Sequence, residues 1–313
     1  MTVLALDLGG SHIGCGVSKD GHLLAGSSME VDSRSLVSLL TAIEDELLRI
    51  CRISGVQPES CDGIGIGFPG IVDGSSGEIL STLGKFDDIS AEELRSWCDR
   101  AFGLPMKIEN DARLALLGEH FAGAARGFSD VVLVTLGTGI GGAAMLNNAL
   151  IRSRFGQAGS IGGHLPVRLN GRLCACGAVG CAEAEASTSV LPDICRTWPG
   201  FSQSLLRLEP TLDFSAIFRC KDAGDAIAAE VLSHCIAVWS TLCVGLIHAY
   251  GPELLLFGGG VMKRGEEILD PIRSHVQRHS WKTTRGLARI EACALGADAA
   301  LIGAEAMFRE GYA

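Results

Sequence analysis

The sequence is poor in aromatic residues, which make up only 5% of its 313 positions. Hydrophobic residues nevertheless make up 47%, so the core has to be built mainly from Ala, Val, Ile and Leu. Such a core is typical of parallel sheets that are covered by helices. Because the chain is too long for one ordinary core, we predict an α/β protein of two domains.

The sequence also lacks any stretch in which Lys and Arg are concentrated. Its formal net charge is −10, and a negative field repels the phosphate backbone of nucleic acids. We therefore expect no nucleic-acid partner.

We expect neither a targeting segment nor a membrane span. The first residues, Met-Thr-Val-Leu-Ala-Leu-Asp, predict a strand and contain no basic segment or cleavage site. The apolar stretch 236–250 is shorter than the roughly 20 residues that a span needs, and it contains Ser240, Thr241 and His248. We expect a buried helix there, no membrane partner, and a cytoplasmic protein whose 12 cysteines stay reduced.

Three cysteines lie in one short run, Cys174-Ala-Cys176-Gly-Ala-Val-Gly-Cys181, and His164 lies ten residues before its first cysteine. Three thiolates and one imidazole are the ligand set of a closed tetrahedral zinc site, which leaves no position for water. We therefore predict a structural Zn²⁺ on His164, Cys174, Cys176 and Cys181. The alternative is a set of small buried thiols.

Three glycine-rich loops follow apolar segments that predict strands, at residues 9–11, 137–142 and 258–260. Backbone amides in such loops can point at anionic oxygens, because no side chain blocks the approach. Since a strand and not a helix is predicted after the middle loop, a dinucleotide-binding fold is disfavoured. The alternative is three hairpin turns that need glycine. The order of strand, glycine loop and strand occurs at both residue 2 and residue 131, which indicates an internal repeat.

The pair Asn110-Asp111 follows a predicted strand at 106–109. Open α/β sheets bind ligands at the carboxyl ends of their strands, and a carboxylate there can accept a proton from a hydroxyl group that attacks phosphorus. The ordinary pKa of about 3.9 would keep this group ionised, so we expect no large shift. The alternative is a helix N-cap in front of the next apolar segment.

Glu183 follows the last cysteine of the run by two residues. A zinc-bound turn would hold its carboxylate in place to bind a vicinal diol, and His164 could offer its second ring nitrogen to the same ligand. The alternative for Glu183 is a solvated acid in a loop.

Several motifs resemble those of the ROK family in sequence and in order. They are Asp7-Leu-Gly-Gly-Ser11, Phe68-Pro-Gly70, Ile108-Glu-Asn-Asp111, Leu136-Gly-Thr-Gly-Ile-Gly-Gly142, Gly163-His164, the cysteine run up to Glu183 and Phe257-Gly-Gly-Gly260. That family includes sugar kinases such as glucokinases, and also bacterial repressors. The resemblance covers nearly the whole chain and implies the actin-like ATPase (ribonuclease H-like) fold, with two α/β domains and an interdomain cleft. We expect a small domain of residues 1–112 and 300–313, and a large domain of residues 113–299 that carries the zinc turn.

The resemblance implies an ATP-dependent sugar kinase that transfers the γ-phosphoryl group to a hexose hydroxyl, namely the 6-hydroxyl, with Asp111 as catalytic base. The implied sugar ligands are Gly70, Asn110, His164 and Glu183. The implied ATP-binding residues are Asp7, Gly9, Gly10, Ser11, His12, Gly137, Thr138, Gly139, Gly259 and Gly260. The implied cofactors are ATP, Mg²⁺ and the structural Zn²⁺ described above. We further expect a homodimer or homotetramer.

Three departures from the family pattern leave the acceptor open. Ser160-Ile-Gly-Gly-His164 stands where the family has Glu-x-Gly-His, Ser81-Thr-Leu-Gly-Lys-Phe86 stands where it has Asn-Leu and then Trp, and Arg113 stands where Asn is common. We expect all three on the sugar side, with the phosphate loops intact.

Several alternatives therefore remain. One is a kinase for an N-acetylhexosamine, fructose or allose, and another is a sugar-sensing protein without turnover. A third is a transcriptional regulator, but a regulator would carry a helix-turn-helix before the first glycine loop, whereas here the first strand begins at Thr2. A fourth is an acetate-kinase-like enzyme, against which the zinc turn argues.

Overall fold

The computed structural model describes residues 1–10, 12–31, 35–160, 162–309 and 311. The chain forms two compact units. Unit 1 comprises Met1–Ser129, Ala143–Ser160 and Cys293–Ala313, and unit 2 comprises Asp130–Gly142 and Ile161–Ala292. The domain boundaries that we expected, after residues 112 and 299, differ from the bounds of these units. Residue 112 lies in the first turn of the helix Asp111–Ala122, which belongs wholly to unit 1. The division into a small and a large domain stays a prediction.

The strands fall into two five-stranded sheets and one separate pair. In chain order they are β1 (Thr2–Leu8), β2 (His12–Lys19), β3 (His22–Glu30), β4 (Gly63–Phe68), β5 (Ile71–Asp73), β6 (Glu78–Ser81), β7 (Met106–Asn110), β8 (Val131–Leu136), β9 (Ile140–Leu146), β10 (Ala149–Leu150), β11 (Leu254–Gly258) and β12 (Arg289–Ala292).

The helices are distributed over both units. In chain order they are α1 (Leu40–Ser54), α2 (Ala91–Phe102), α3 (Asp111–Ala122), α4 (Ala182–Ala186), α5 (Leu191–Thr197), α6 (Phe214–Asp222), α7 (Ala226–Tyr250), α8 (Gly265–His279) and α9 (Ala299–Ala306). Local signals account for their ends. Ser90 and Glu93 form a reciprocal capping box at the start of α2, and Gly55 ends α1 in the left-handed region with a φ of 70°.

The first sheet has the order β3-β2-β1-β4-β7. Strand β1 pairs antiparallel with β2 and parallel with β4, and β4 pairs parallel with β7. Asp7 lies opposite Gly67, and Phe68 lies opposite Asn110. The carboxyl ends of three parallel strands therefore meet at one edge of this sheet, which is where open α/β sheets bind ligands.

The second sheet has the order β10-β9-β8-β11-β12, in which β11 pairs parallel with both β8 and β12. In each sheet a strand, a glycine loop and the neighbouring strand follow one another, as β1 and β2 and again as β8 and β9. The predicted internal repeat is confirmed. The middle loop is shorter than expected, because β9 begins at Ile140 and takes in Gly142.

Helix α7 is the buried helix that was predicted. The Asp225 side chain caps its first turn, and Gly251 ends it with a φ of 57°. Trp239 lies within it at 0% exposure and donates from Nε1 to the carbonyl of Ala186 at 3.2 Å. In the described part of the chain α7 is the one helix with the length and composition to cross a membrane. More than half of the most apolar stretch of α7 is buried in the protein, as in the core helix of a globular domain.

The C-terminal helix is shorter than predicted. We expected it to open at Leu295-Gly296 and to end near Phe308. A 3₁₀ turn occupies Gly296–Asp298, and α9 runs only from Ala299 to Ala306.

Candidate active site

Asp7 and Asp111 lie at the ligand-binding edge of the first sheet. Asp7 is the last but one residue of β1, and Asp111 opens α3 directly after β7. Gly67 of β4 lies between them: a Cβ on Gly67 would be 3.1 Å from Oδ1 of Asp7 and 3.6 Å from Cα of Asp111. The parallel pairing of β1, β4 and β7 thus brings two carboxylates from distant parts of the sequence to one place.

Burial changes the ionisation of both carboxylates. Removal from water raises the pKa of Asp7 to about 7, and the negative charge of Asp111 adds to the rise. Burial likewise raises the pKa of Asp111, although the Ala112 amide and the positive charge of Lys85 lower it in part. The expectation of an unshifted Asp111 pKa is therefore wrong, because the sequence pattern could not show how deeply this carboxylate is buried.

Asn110 is the N-cap of α3, so the alternative that we left open for this pair applies to Asn110. Its Oδ1 accepts the Arg113 amide at 3.1 Å, and its Nδ2 donates to the carbonyl of Gly70 at 3.0 Å and to Oδ1 of Asp111 at 2.8 Å. The same side chain thus starts the helix and orients Asp111. Gly70 is needed as glycine because a Cβ there would lie 2.3 Å from the carbonyl oxygen of Ser81.

The first glycine loop lies beside this pair. The Gly9 amide donates to the carbonyl of His12 at 2.9 Å, and a Cβ on Gly9 would lie 2.6 Å from that oxygen. The loop is therefore closed by backbone contacts that only glycine allows. His12 begins β2 and is exposed. Ser11, which we also expected to bind ATP, lies outside the described residues.

Arg113, which we expected on the sugar side, makes its polar contacts within unit 1. Its side chain is fully buried and forms an ion pair with Glu109 at 3.3 Å. Nη2 donates to three carbonyls, those of Ile151, Gly156 and Ala158, at 3.1, 2.9 and 2.7 Å. These hydrogen bonds connect the segment after β10 to the first turn of α3.

The second and third glycine loops lie together in unit 2. Gly259 has a φ of 91°, and a Cβ there would lie 2.2 Å from the carbonyl oxygen of Leu136, the last residue of β8. The backbone of the third loop thus packs directly against the start of the second. Thr188 and Ser189 donate their amides to the carbonyls of Gly137 and Thr138 at 3.1 and 3.0 Å, which fixes the second loop from its other side. Gly260 opens the 3₁₀ turn that follows.

The carboxylate of Glu183 is bound to the second glycine loop. Its Oε2 accepts the amide of Ile140 at 2.9 Å, and a Cβ on Gly139 would lie 2.4 Å from the same oxygen. Its Oε1 lies 3.8 Å from Nε2 of His164. Glu183 is therefore a positioned, half-buried group, which argues against the alternative of a solvated loop acid.

The predicted zinc ligands converge. Tetrahedral coordination with zinc–sulfur distances of about 2.3 Å and zinc–nitrogen distances of about 2.0 Å would place the ligand atoms about 3.5 to 3.8 Å apart. Nδ1 of His164 lies 3.4 Å from Sγ of Cys174, and the sulfurs of Cys176 and Cys181 lie 3.7 Å apart. All four ligand atoms lie within 4.8 Å of one another. The residues present thus fit a closed zinc site in both number and spacing.

Some residues near the candidate active site were not predicted from the sequence as site residues. Lys85 lies beside the first glycine loop, and the buried pair of Arg113 and Glu109 lies behind Asp111. Arg113 and the run from Ser81 to Phe86 differ from the family pattern, but that difference did not indicate which groups they contact. Their positions depend on loop geometry and on tertiary contacts, which residue spacing does not reveal.

Comparison with known proteins identifies the family. The family model described as ROK family matches residues 3–311. A glucokinase of Thermotoga maritima is 31% identical over 318 residues, which cover 99% of this chain and 98% of the relative. The chain belongs to the ROK family.

Solved structures agree with this assignment. A ROK family glucokinase from Streptomyces griseus, in complex with glucose and AMPPNP, matches with a TM-score of 0.82 and 30% identity over 97% of this chain and 98% of that one. A ROK hexokinase from Thermus thermophilus matches with a TM-score of 0.76 and 30% identity over 98% and 97%. The predicted fold, the α/β fold of the actin-like ATPases and sugar kinases, is confirmed.

Proposed function

We propose that this protein is an ATP-dependent sugar kinase that transfers the γ-phosphoryl group of ATP to a hydroxyl of a hexose, namely the 6-hydroxyl. The observation that carries the proposal is the half-buried carboxylate of Asp111, which shares the carboxyl edge of the first sheet with Asp7, just before the first glycine loop. Glucokinase relatives at about 30% identity over nearly the whole chain support the same activity.

Asp111 is the proposed catalytic base. The sugar oxygen bonds to the γ-phosphorus while the bond from that phosphorus to the bridging oxygen of ADP breaks, and the hydroxyl proton passes to Asp111. Burial raises the pKa of Asp111, and a carboxylate with a raised pKa is a stronger base towards the hydroxyl proton. Asn110 holds one carboxylate oxygen, which leaves the other to face the hydroxyl group.

The ATP-binding groups proposed are the three glycine loops. The triphosphate would lie on Gly9, Gly10, Gly137, Thr138 and Gly139, and the adenosine beside Gly259 and Gly260, with Asp7, Ser11 and His12 completing the set. Backbone amides at these positions offer donors without bulky side chains.

Mg²⁺ fits the chemistry of the Asp7 site. Carboxylate oxygens are ligands that this hard cation accepts, and the carboxylate of Asp111 adds a second negative charge close to Asp7. Asp7 would orient the hydrated ion. When bound, the ion neutralises charge on the β- and γ-phosphates.

The zinc turn is the proposed sugar-binding element. A Zn²⁺ on His164, Cys174, Cys176 and Cys181 would hold the turn and the imidazole in place. Nδ1 of His164 faces the thiols, so Nε2 remains for a sugar hydroxyl beside the Glu183 carboxylate. Gly70 and Asn110 complete the proposed sugar ligands.

The oligomeric state and the compartment rest on the resemblance and on the sequence alone. We propose a homodimer or homotetramer, which sedimentation velocity of the purified protein would measure. The cytoplasmic location also stays a prediction.

The activity is tested by ADP release over a panel of hexoses, N-acetylhexosamines and ketoses. We expect at least one hexose to support turnover and Asp111→Asn to lower kcat by about 10²- to 10⁴-fold, because the base is lost while the amide keeps the shape. Asp45→Asn, an exposed aspartate of α1, is the matched control and should keep the wild-type rate.

Two results would contradict the proposal. Absence of ADP release with every sugar, together with calorimetric sugar binding, would make the protein a sugar sensor without turnover. Near-normal turnover of Asp111→Asn would remove Asp111 from the role of base.

A further inference from the structure

The side chain of Lys85 lies at the first glycine loop. Its Nζ lies 3.4 Å from the position that a Cβ on Gly10 would take, and its Cε lies 3.5 Å from the same point. Among the described residues, Lys85 forms no salt bridge and no side-chain hydrogen bond. A flexible exposed lysine would be unremarkable on a surface, but here the ammonium group lies at a loop that is open to an anion.

The loop that carries Lys85, residues 82–87, is held in an uncommon conformation. Leu83 and Phe86 both have a φ of 54°, in the left-handed region that side chains with a Cβ rarely adopt. The Phe86 ring is buried and lies 6.4 Å from the ring of Phe68, which directly follows Gly67 at the carboxyl end of β4. Such conformations persist only where the surroundings enforce them, and they concentrate at functional sites.

Internal hydrogen bonds fix this loop further. Lys85 donates its amide to the carbonyl of Thr82 at 3.0 Å, and the Thr82 hydroxyl donates to the Asp87 carboxylate. These hydrogen bonds hold the backbone at Lys85 in position, and the Lys85 ammonium group lies close to Gly10.

The surrounding negative charges favour a cation at this place. Asp7 and Asp111 lie on either side of Gly67, and the bound triphosphate of the proposed reaction would add further negative charge. The Lys85 charge already lowers the pKa of Asp111, which shows that the ammonium is within electrostatic reach of the proposed base. Lys85 thus lies near both the proposed phosphate loop and the group that receives the sugar proton.

We propose that Lys85 is a further catalytic residue, whose ammonium group contacts the oxygens of the γ-phosphoryl group during its transfer from ATP to the sugar. The inference rests on the proposed kinase function. In the transfer, the sugar oxygen forms a bond to the γ-phosphorus, ADP leaves with the electron pair of the broken bond, and Asp111 takes the proton. Lys85 exchanges no proton and forms no covalent bond. It stabilises the charge that is spread over the transferring group.

The test is Lys85→Met, which keeps the length and apolar contacts of the side chain and removes its charge. We expect kcat to fall by about 100-fold, as for the loss of one donor to a developing charge, with the KM values for sugar and ATP changed by less than about threefold. Lys85→Arg should recover part of the rate. The affinity for ADP with aluminium fluoride and sugar, which mimics the transferring group, should fall with kcat.

Lys19→Met is the matched control, because Lys19 is an exposed lysine of the same unit at the end of β2. It should keep the wild-type kinetics. The inference is overturned if Lys85→Met keeps more than half of the wild-type kcat, or if only the KM for the sugar rises, which would make Lys85 an acceptor contact. Absence of turnover in the wild type with every sugar would instead contradict the kinase function itself, so the two failures are distinguishable.

Discussion

At the scale of single residues, the candidate active site contains charge that the fold alone does not favour. Asp7 lies half-buried beside Asp111, and removal from water raises its pKa to about 7. A carboxyl group whose pKa is higher in the folded than in the unfolded chain stabilises the fold only at low pH. That contribution is lost as the pH rises through the folded-state pKa. Residues of this kind are kept for function rather than for stability.

Asp7→Asn is therefore expected to stabilise the ligand-free protein at alkaline pH. The advantage of the variant over the wild type should grow by about 2 kcal/mol between pH 5 and pH 8, since ionisation of Asp7 then opposes folding in the wild type only. Denaturant unfolding in metal-free buffer at the two pH values measures this. An advantage that stays constant with pH would show that Asp7 is not the titrating group, and Asp45→Asn should show no such change.

Residue types and spacing revealed the parts of the site that use rare chemistry. The Cys₃His set was predicted because few other roles bring three cysteines and a histidine so close in sequence. Asp111 was predicted as a site residue because it follows a strand. The raised pKa of Asp111, the burial of Arg113 and the position of Lys85 were not predicted, because each depends on which distant segments pack around the side chain.

At the scale of elements, the proposed zinc turn is the part of unit 2 whose order we expect to depend most on a ligand. Its backbone carries two glycines with positive φ, Gly177 at 88° and Gly180 at 77°, and it has few apolar contacts beyond Cys174, Cys181 and Ala184. A bound zinc would cross-link such a segment. The binding free energy of a structural zinc, on the order of 10 kcal/mol, would then stabilise the fold.

Cys176→Ser should therefore release the metal and lower the thermal unfolding midpoint. Cys176 is the exposed ligand of the four, so its replacement removes a zinc bond with little change in packing. Atomic emission should find about one zinc per wild-type chain and less than half of that in the variant. Cys61→Ser, which alters a cysteine of the unit 1 core, should keep its zinc. Full zinc retention in Cys176→Ser would contradict the assigned ligand set.

Elements with strong periodicity or clear end signals were predicted nearly to the residue. Strand β1, strand β7 and the C-terminal part of helix α7 lie where the pattern placed them, because buried apolar runs are local properties. The predicted boundaries were wrong where contacts with neighbouring segments determine the backbone conformation. Gly142 was assigned to a loop by its type but belongs to β9, and the last helix is shortened by a 3₁₀ turn at Gly296–Asp298.

At the scale of the whole molecule, the two sheets repeat one order of strands around a glycine loop. The loop of the first sheet lies beside two carboxylates and a lysine, whereas that of the second lies beside Glu183, which follows the proposed zinc turn. The same topology thus supports two different sets of side chains.

Ligand-induced stabilisation identifies the acceptor independently of turnover. A ligand that binds only the folded protein adds RT ln(1 + [L]/Kd) to its stability, about 2.7 kcal/mol at a concentration of 100 Kd. For a chain of this size we expect the unfolding midpoint to rise by about 5 °C with the true acceptor. Thermal scans of Asp111→Asn, which binds without turnover, should show this rise with the hexose that supports ADP release in the wild type. L-Glucose, which has the same composition but the mirror-image shape, should have no effect. A rise with ATP but with no sugar of the panel would place the acceptor outside the carbohydrates, and the proposed role of His164 and Glu183 would then be wrong.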